Sequence, residues 1–315
     1  MADVLAVGES LGLLSPARAE SFELASDVRL GIGGAESNVA IGVSRLGGSA
    51  AWVGRVGDDD LGRRIVRELR AEAVQAHMIV DDVASTAVML KEHRPIGPSR
   101  VRYYRRGSAG SRLRPDDIDE HLVAAASVVH VTGITPSLSE TADEAVTHAL
   151  ALAAAHGVPV SFDVNHRSTV FRHRDAAEIY SAIAERSTIV FAGEEEAALL
   201  VPGARTRIDL VRGMRDLGPT EAVLKLGDEG CLASIGDDLF ELPAVCVAVV
   251  DTVGAGDAFV AGYLADRARG ASTADRLVTA TRCGAFACTS FGDWEGAARR
   301  SDLSALEVGG DPVHR

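Results

Sequence analysis

Short apolar runs alternate with longer amphipathic stretches along most of the chain. Several runs are apolar at every position, which is typical of strands in a parallel sheet that helices cover on both faces. The predicted strands lie at residues 4–7, 51–56, 128–131, 158–164, 188–191, 222–226 and 245–250. The predicted helices, where apolar residues recur at helical spacing, lie at residues 37–46, 61–73, 141–156, 176–185, 206–217, 257–269 and 274–289. This alternation predicts an α/β fold with a doubly wound, mainly parallel sheet flanked by helices.

Two segments, residues 13–32 and 85–106, break this rhythm because they contain extended strands with no helix between them. They predict a small β-sheet that packs as a lid over one end of a main domain. The main domain, which would bind nucleotide and substrate, then consists of residues 1–12, 33–84 and 107–315. The alternative is that both segments are ordinary edge strands of the main sheet.

The chain of 315 residues has 45 acidic and 32 basic side chains, which gives a formal net charge of −13. Such an acidic chain is a poor candidate for coating nucleic acid, because phosphate neutralisation needs an excess of positive charge. Thirty of the 32 basic residues are arginine, and the two lysines are Lys91 and Lys225. Four cysteines without Cys-x-x-Cys spacing are typical of free thiols in a reducing compartment. With no leader-like start and no apolar stretch long enough to cross a bilayer, the sequence predicts a cytoplasmic protein without a membrane partner.

One segment reverses the charge, since residues 91–114 carry eight basic residues against one acid, Glu92. The basic residues are Lys91, Arg94, Arg100, Arg102, Arg105, Arg106, Arg112 and Arg114. Strand alternation places Tyr103 and Arg105 on one face and Arg102 on the other. A tyrosine beside a guanidinium suits a hydroxylated ligand that bears a carboxylate or phosphate. The segment therefore predicts a small anionic substrate, with a solvated surface as the alternative.

Residues 251–259, Asp-Thr-Val-Gly-Ala-Gly-Asp-Ala-Phe, connect a predicted strand to a predicted helix, and we call residues 251–256 the glycine loop. Its glycines allow a sharp turn and a close approach to a ligand, and the amides at a helix N-terminus bind anions. Asp257 is placed either to cap the helix or to accept a proton from a hydroxyl that attacks a phosphoryl group. Neither lysine follows a glycine, which excludes a P-loop. The first predicted strand is not followed by Gly-x-Gly-x-x-Gly, which disfavours a dinucleotide site.

The glycine loop and Asp257 resemble the C-terminal signature of the ribokinase-like (PfkB) sugar kinases, Asp-Thr-x-Gly-Ala-Gly-Asp. Residues 33–40, together with 45–47 and 54–59, resemble the other signature of the same family. The two resemblances come in the right order and cover essentially the whole chain. They imply an α/β domain with a β-sheet lid, a homo-oligomer, and ATP- and Mg²⁺-dependent phosphorylation of a hydroxyl on a small sugar.

Within this family the chain most resembles the 2-keto-3-deoxygluconate kinases, through residues 33–38, 103–110, 163–167 and 292–296. The substrate of those kinases is a sugar acid, which agrees with the anionic substrate inferred from charge. The substrate residues that this resemblance implies are Gly34 and Asn38 at the sugar hydroxyls, Tyr103, Arg105 and Arg167 at the acid group, and Asp293 near the reacting hydroxyl.

The same resemblance implies a nucleotide site and a catalytic group. The nucleotide residues are Asn165, Lys225, Gly227, Gly230, the glycines of the glycine loop, and Thr281, which stands where an asparagine near the adenine is common. Glu196 belongs to a motif associated with the metal and phosphates, in which Gly193 replaces the usual asparagine. Asp257 takes the proton from the hydroxyl, and the amides of Gly254, Ala255 and Gly256 stabilise charge on the transferring phosphoryl group.

Two other functions stay open at this point. One is a neutral-sugar kinase of the same family, acting on ribose, fructose or a nucleoside, because Met89 stands where the ketodeoxygluconate kinases usually place a tyrosine. The other is a non-catalytic sugar-acid sensor that keeps the kinase fold. The intact Asp257 argues against the sensor, and the arginine-rich segment argues against the neutral sugar. The sequence also leaves open a monovalent cation beside Asp251 and Val253.

Overall fold

A computed structural model describes residues 1–92, 99–167 and 175–306 of the chain. Arg94 of the basic segment lies outside these residues, as do residues 93–98 of the predicted lid. In chain order the strands are β1 Val4–Val7, β2 Leu11–Pro16, β3 Val28–Gly33, β4 Ala50–Gly57, β5 Gln75–Asp81, β6 Val88–Glu92, β7 Arg100–Tyr104, β8 Val129–Thr132, β9 Val160–Asp163, β10 Ile189–Gly193, β11 Glu221–Lys225, β12 Cys231–Ile235 and β13 Asp238–Leu242. The helices are α1 Ala35–Arg45, α2 Asp60–Ala71, α3 Glu120–Ala124, α4 Ile134–Leu138, α5 Glu140–His156, α6 Ala176–Ala184, α7 Glu194–Leu200, α8 Arg207–Asp216, α9 Ala255–Ala268, α10 Thr273–Ala287 and α11 Arg300–Leu303. Within the described ranges, no helix is both long enough and apolar enough to cross a membrane.

The main sheet has nine strands in the order β13-β12-β11-β10-β9-β8-β1-β4-β5. Neighbours from β5 to β11 pair in parallel, and the hairpin β12–β13 adds to β11 in antiparallel fashion. One apolar core contains side chains of α1, α9 and α10, and a second core contains side chains of α5, α6 and α8. All eight residues of β4 are buried, as expected for a strand with helices on both faces. The predicted doubly wound α/β fold is confirmed.

The other four strands form a separate sheet in the order β3-β2-β6-β7, which we call the small sheet. It has a core of its own, made by Leu11, Leu13, Ala87 and Met89. The prediction that segments 13–32 and 85–106 form a second sheet is confirmed. The edge-strand alternative is wrong, because these strands pair with one another. The domain boundaries proposed from the sequence stay a prediction.

The predicted strand at residues 245–250 is wrong, because this segment is irregular and runs outside both sheets. The hairpin β12–β13, which the apolar pattern did not reveal, occupies the position beside β11. Residues 245–250 therefore do not take the position beside β11, and Val249 is 63% exposed. The segment is fixed instead by a backbone hydrogen bond from Val250 to the carbonyl of Cys288 at 2.8 Å.

Helix α9 begins at Ala255, two residues before the predicted start, and Gly254 is its N-cap. Gly254 has φ 80°, a left-handed conformation that glycine adopts without strain. Asp257 is therefore the third residue of the helix and not its cap, so the capping role predicted for Asp257 is wrong. In the part of the chain that the structure describes, its carboxylate makes no capping hydrogen bond to α9.

Candidate active site

A cavity of about 810 Å³ lies where the parallel strands end, between the main sheet and the small sheet. Asp163, Gly193 and Lys225 are the last residues of β9, β10 and β11, and all three line the cavity. Ligands of doubly wound sheets bind at this edge, because loops follow the carboxyl ends of the strands there. The small sheet contributes the opposite wall through Met89 and Tyr103.

The cavity collects most of the residues that the sequence predicted for the site. Those that line it are Gly34, Asn38, Tyr103, Arg105, Asn165, Arg167, Glu196, Lys225, Gly254, Gly256, Asp257 and Asp293. The predicted residues that do not line it are Ala255, Gly227, Gly230 and Thr281. The sequence-based set therefore converges on one place, although it includes residues that lie elsewhere.

Asp257 is buried in the lining of the cavity, and its carboxylate accepts hydrogen bonds from two side-chain amides. Asn38 Nδ2 donates to Asp257 Oδ2 at 2.8 Å, and Asn165 Nδ2 donates to Asp257 Oδ1 at 3.3 Å. Asn165 has φ 39°, a left-handed conformation that asparagine tolerates better than most residues. Asn38 Nδ2 also donates to Asp293 Oδ2 at 3.0 Å, and Asp293 Oδ2 accepts a second hydrogen bond from the Gly34 amide at 3.2 Å. Asn38 and Asn165, predicted to touch sugar and nucleotide, thus also orient the proposed base.

The surroundings of Asp257 favour the protonated form of its carboxyl group more than water does. Burial, followed by the negative charge of Asp293, raises the pKa of Asp257 to about 7. The hydrogen bond from Asn38 opposes this rise, because it favours the carboxylate. A general base works best when its pKa lies near the operating pH, so the site is tuned for proton transfer near neutrality.

The glycine loop meets the cavity beside Asp257. Gly254 and Gly256 line the cavity, whereas the amide of Ala255 donates to the carbonyl of Thr252 at 3.3 Å. A Cβ added at Gly256 would lie 3.6 Å from Lys225 Nζ. The glycine therefore leaves the space in front of the Lys225 ammonium without a side chain. The structure does not support Ala255 as a donor to phosphate, because its amide already closes a turn. The amides of Gly254 and Gly256 stay predicted donors.

The end of the cavity that the sequence predicted to bind an acid group contains the predicted residues together with a carboxylate that the sequence analysis missed. Arg105 Nε and Nη2 lie 2.8 Å and 2.5 Å from Glu9 Oε2, and Glu9 is 2% exposed. The Arg105 guanidinium stacks 5.1 Å from the centroid of the Tyr103 ring, and Arg167 lines the same cavity. Arg102 is exposed on the opposite face of β7, which confirms the predicted alternation. Arg105 is therefore positioned in the cavity by Glu9, which also offsets its charge.

Glu36 is a second carboxylate that the sequence analysis did not assign. It is buried and accepts hydrogen bonds from the hydroxyls of Thr132 at 2.7 Å and Thr135 at 2.6 Å. Burial raises the pKa of Glu36. Both missed acids had a local signal, since Glu9 follows the buried strand β1 and Glu36 lies within the motif at residues 33–40.

The nucleotide end contains an ion pair and a carboxylate fixed by backbone amides. Lys225 Nζ lies 2.6 Å from Asp163 Oδ1. Burial opposes the charge on Lys225, but the attraction of Asp163 and Glu196 outweighs it and raises the lysine pKa. Glu196 Oε1 accepts from the His166 amide at 2.8 Å, and Oε2 accepts from the Gly193 amide at 2.7 Å. Both oxygens of Glu196 are thus engaged by backbone amides, and its indirect role at a nucleotide-bound Mg²⁺ stays a prediction.

Three predicted nucleotide residues lie away from the cavity lining. Gly227 is exposed just after β11, and Gly230 packs against the backbone at Leu242 to Ala244 with φ 103°. Thr281 is buried in α10, where its hydroxyl donates to the carbonyl of Leu277 at 2.9 Å. Nucleotide contacts at these residues stay a prediction.

Known proteins are similar in sequence to this chain over most of its length. The model of the pfkB family of carbohydrate kinases matches residues 1–298. A 2-dehydro-3-deoxygalactonokinase from Haloferax volcanii is 33% identical over 296 residues, which cover 93% of this chain and 92% of the relative. A 2-dehydro-3-deoxygluconokinase from Bacillus subtilis is 31% identical over 319 residues, 99% of this chain and 98% of the relative. A fructokinase-1 from Zea mays is 34% identical over 271 residues, 82% of this chain and 83% of the relative.

Solved structures give the same result for the fold. The crystal structure of a PfkB protein from a Polaromonas species has a TM-score of 0.88 and 31% identity, and the match covers 97% of this chain and 100% of that one. A double mutant of fructokinase from Vibrio cholerae, crystallised with fructose, ADP and potassium, has a TM-score of 0.86 and 26% identity over 97% of this chain and 98% of that one. Fold and cavity thus define an ATP-dependent carbohydrate kinase with a ribokinase-like fold. The chain belongs to the pfkB family of carbohydrate kinases.

Proposed function

We propose that the protein is an ATP-dependent sugar-acid kinase that phosphorylates 2-keto-3-deoxygluconate, also named 2-dehydro-3-deoxygluconate. The observation that carries the proposal is the layout of one cavity. Asp257, with a pKa of about 7, lies beside the glycine loop, and the Tyr103, Arg105 and Arg167 side chains lie in the same cavity. A sugar acid would place its hydroxyl at Asp257 and its carboxylate at the two arginines. The two ketodeoxy-acid kinases named above support this assignment.

The reaction would use these groups in a defined order. Asp257 accepts the proton of the substrate's primary hydroxyl while the hydroxyl oxygen attacks the γ-phosphorus of ATP. The bond from that phosphorus to the β–γ bridging oxygen breaks, and ADP leaves with the bridging oxygen. Asn38 and Asn165 keep the Asp257 carboxylate oriented toward the hydroxyl. The amides of Gly254 and Gly256, at the positive end of the α9 dipole, stabilise charge on the transferring group. Mg²⁺, bound to the ATP phosphates, would neutralise charge near Glu196 and Asp163.

A neutral-sugar kinase is the second candidate, because a specific contact favours it. Glu9 already pairs with Arg105, so a substrate carboxylate would share that guanidinium with a fixed acid. Met89 lines the same wall and offers no strong hydrogen-bond donor or acceptor to a sugar hydroxyl. The fructokinase from Zea mays is as similar in identity as the ketodeoxy-acid kinases. The sensor alternative has no such support, since Asp257 and its amide partners are all in place. A homo-oligomer and a cytoplasmic location stay predictions.

A substrate panel tests the proposal. ATP consumption is measured with 2-keto-3-deoxygluconate, 2-keto-3-deoxygalactonate, ribose, fructose and adenosine at matched concentrations. We expect a ketodeoxy acid to have the highest kcat/KM, exceeding each neutral sugar by at least about tenfold, because one hydrogen bond to a charged group contributes about 1.5–3 kcal/mol. Fructose or ribose as the best substrate would replace the sugar acid with the second candidate.

A further inference from the structure

Each of the two lysines of this arginine-rich chain pairs with a buried carboxylate at or near the cavity. Lys225 faces Asp163, as described above, and Lys91 stands on β6 of the small sheet with its side chain fully buried. The Lys91 ammonium lies 2.5 Å from Asp251 Oδ2 and donates to the carbonyl of Gly292 at 2.5 Å. Lysine carries a compact point charge, whereas arginine carries a broad planar fork. The chain has arginine at 30 of its 32 basic positions, but at the closed site beside Asp251 it has the smaller cation, Lys91.

The ammonium joins three parts of the molecule that meet behind the cavity. Asp251 opens the glycine loop, and its Oδ1 accepts from the Val253 amide at 3.3 Å. Gly292 precedes Asp293, which contacts Asn38 in the site. Lys91 itself does not line the large cavity, so it touches neither the proposed base nor a bound substrate. Its charge therefore acts by fixing the loops that do line the site.

The same atoms decide whether a monovalent cation fits beside Asp251. A carboxylate and a backbone carbonyl are the oxygen ligands that such an ion requires, and Asp251 and Gly292 provide both. The Lys91 ammonium already contacts both oxygens. A second cation at this position would meet a like charge at close range, in surroundings that screen charge poorly. The residues of this chain therefore do not fit a bound monovalent cation there.

We propose that Lys91 is a positioning residue that supplies the positive charge at Asp251 from within the fold, so that this kinase needs no monovalent cation. The glycine loop and the Asp293 loop would be held in place by this ammonium in every state of the enzyme. The kinetic part of the proposal rests on the kinase function proposed above, whereas the binding part does not.

The test compares the full-length protein with two variants of Lys91. Lys91→Ala removes the charge and leaves space, whereas Lys91→Met removes the charge and fills the space. Potassium, ammonium or sodium chloride replaces tetramethylammonium chloride at constant ionic strength, so that general screening does not change. In the alanine variant, the space left by the lysine side chain would connect Asp251 to a hollow of about 530 Å³ that Lys91 and Gly292 help to line, so a small ion could enter. Arg102→Ala, on the exposed face of the small sheet, is the matched control.

We expect the unmodified enzyme to change less than about twofold in kcat/KM between the salts. Lys91→Ala should lose roughly 10- to 100-fold, because a small misplacement of groups around the reacting atoms has effects of this size. Potassium or ammonium should restore much of that loss in Lys91→Ala but not in Lys91→Met. A purely structural role would not produce rescue by a specific ion. Arg102→Ala should behave like the unmodified enzyme.

Thermal unfolding in the same salts separates this proposal from the kinase assignment, because it requires no sugar. Potassium or ammonium should raise the Tm of Lys91→Ala by about 2 °C or more and leave the Tm of the unmodified protein unchanged. Strong activation or stabilisation of the unmodified protein by potassium would overturn the proposal, and this measurement needs no variant to fold. A folded Lys91→Ala with full activity, or with lost activity and stability that no cation restores, would overturn it as well.

Discussion

Asp257→Asn separates the chemistry of Asp257 from its place in the fold. Asparagine keeps the size of the side chain and can still accept a hydrogen bond from Asn38, but it cannot take up a proton. Loss of a general base lowers turnover by about 10²- to 10⁴-fold, so we expect a loss in this range with little change in ATP binding. The same substitution should also stabilise the protein at neutral and alkaline pH.

The direction and size of the stability change follow from the pKa of Asp257. Folding raises this pKa from the ordinary 3.8 to about 7, so the folded protein keeps the proton over an interval in which the unfolded chain has released it. Stability is therefore lost as the pH rises through that interval. Each pKa unit corresponds to about 1.4 kcal/mol, so the buried carboxylate costs up to about 4 kcal/mol above pH 7 and nothing below the unfolded pKa. Asparagine removes this cost.

The assay is denaturant unfolding of the unmodified protein and of Asp257→Asn at pH 5 and pH 8. We expect the variant to gain roughly 2–3 kcal/mol more at pH 8 than at pH 5, from the part of the interval between these two values. Asp237→Asn, in the exposed turn between β12 and β13, is the matched control and should show no such difference. An Asp257→Asn variant whose change in stability is the same at pH 8 as at pH 5, or that retains near-normal turnover, would refute the reasoning.

Three further outcomes are expected from the same geometry. In the unmodified enzyme, kcat/KM should fall about tenfold per pH unit below pH 7, because Asp257 must be deprotonated to act; a profile that stays level down to pH 5 would exclude it as the base. Gly256→Val should lower ATP-dependent turnover in a folded protein, because a branched side chain would project into the cavity beside Lys225, where the phosphate is proposed to pass. Unimpaired phosphorylation would remove the glycine loop from the mechanism. Arg105→Ala should raise KM for a sugar acid about 10- to 150-fold with a smaller change in kcat, whereas Arg102→Ala should change neither; equal effects of the two would mean that the inward face of β7 binds no acid group.

The sequence was sufficient to predict the six inner parallel strands of the main sheet, because such strands are buried on both faces and form continuous apolar runs. It did not predict the edge strand β5, whose residues are mostly exposed or half-buried. It was not sufficient at the sheet edge, where residues 245–250 have the same local pattern as a strand. The hairpin β12–β13 occupies the position beside β11, and only the three-dimensional pairing reveals this. The same limit applies to Asp257. Gly254, in a left-handed conformation, is the N-cap of α9, so the helix begins two residues earlier than predicted and Asp257 lies within its first turn.

In the site, local periodicity and motifs predicted which residues gather but not which partners they find. Alternation along β7 correctly placed Tyr103 and Arg105 inward. The pairing of Arg105 with Glu9, and that of Lys91 with Asp251, joins segments far apart in the chain. Such contacts depend on how the small sheet sits against the main sheet, and no short-range pattern encodes that.

The central claim is that the cavity selects a sugar acid through its arginines and phosphorylates it at Asp257. The most direct measurement is the ratio of kcat/KM for 2-keto-3-deoxygluconate to kcat/KM for 3-deoxyfructose, which has the same carbon chain with a hydroxymethyl group in place of the carboxylate. We expect the acid to be favoured by about 10- to 150-fold, the contribution of a hydrogen bond to a charged group. A ratio near one, or a preference for 3-deoxyfructose, would contradict the claim and identify the protein as a neutral-sugar kinase.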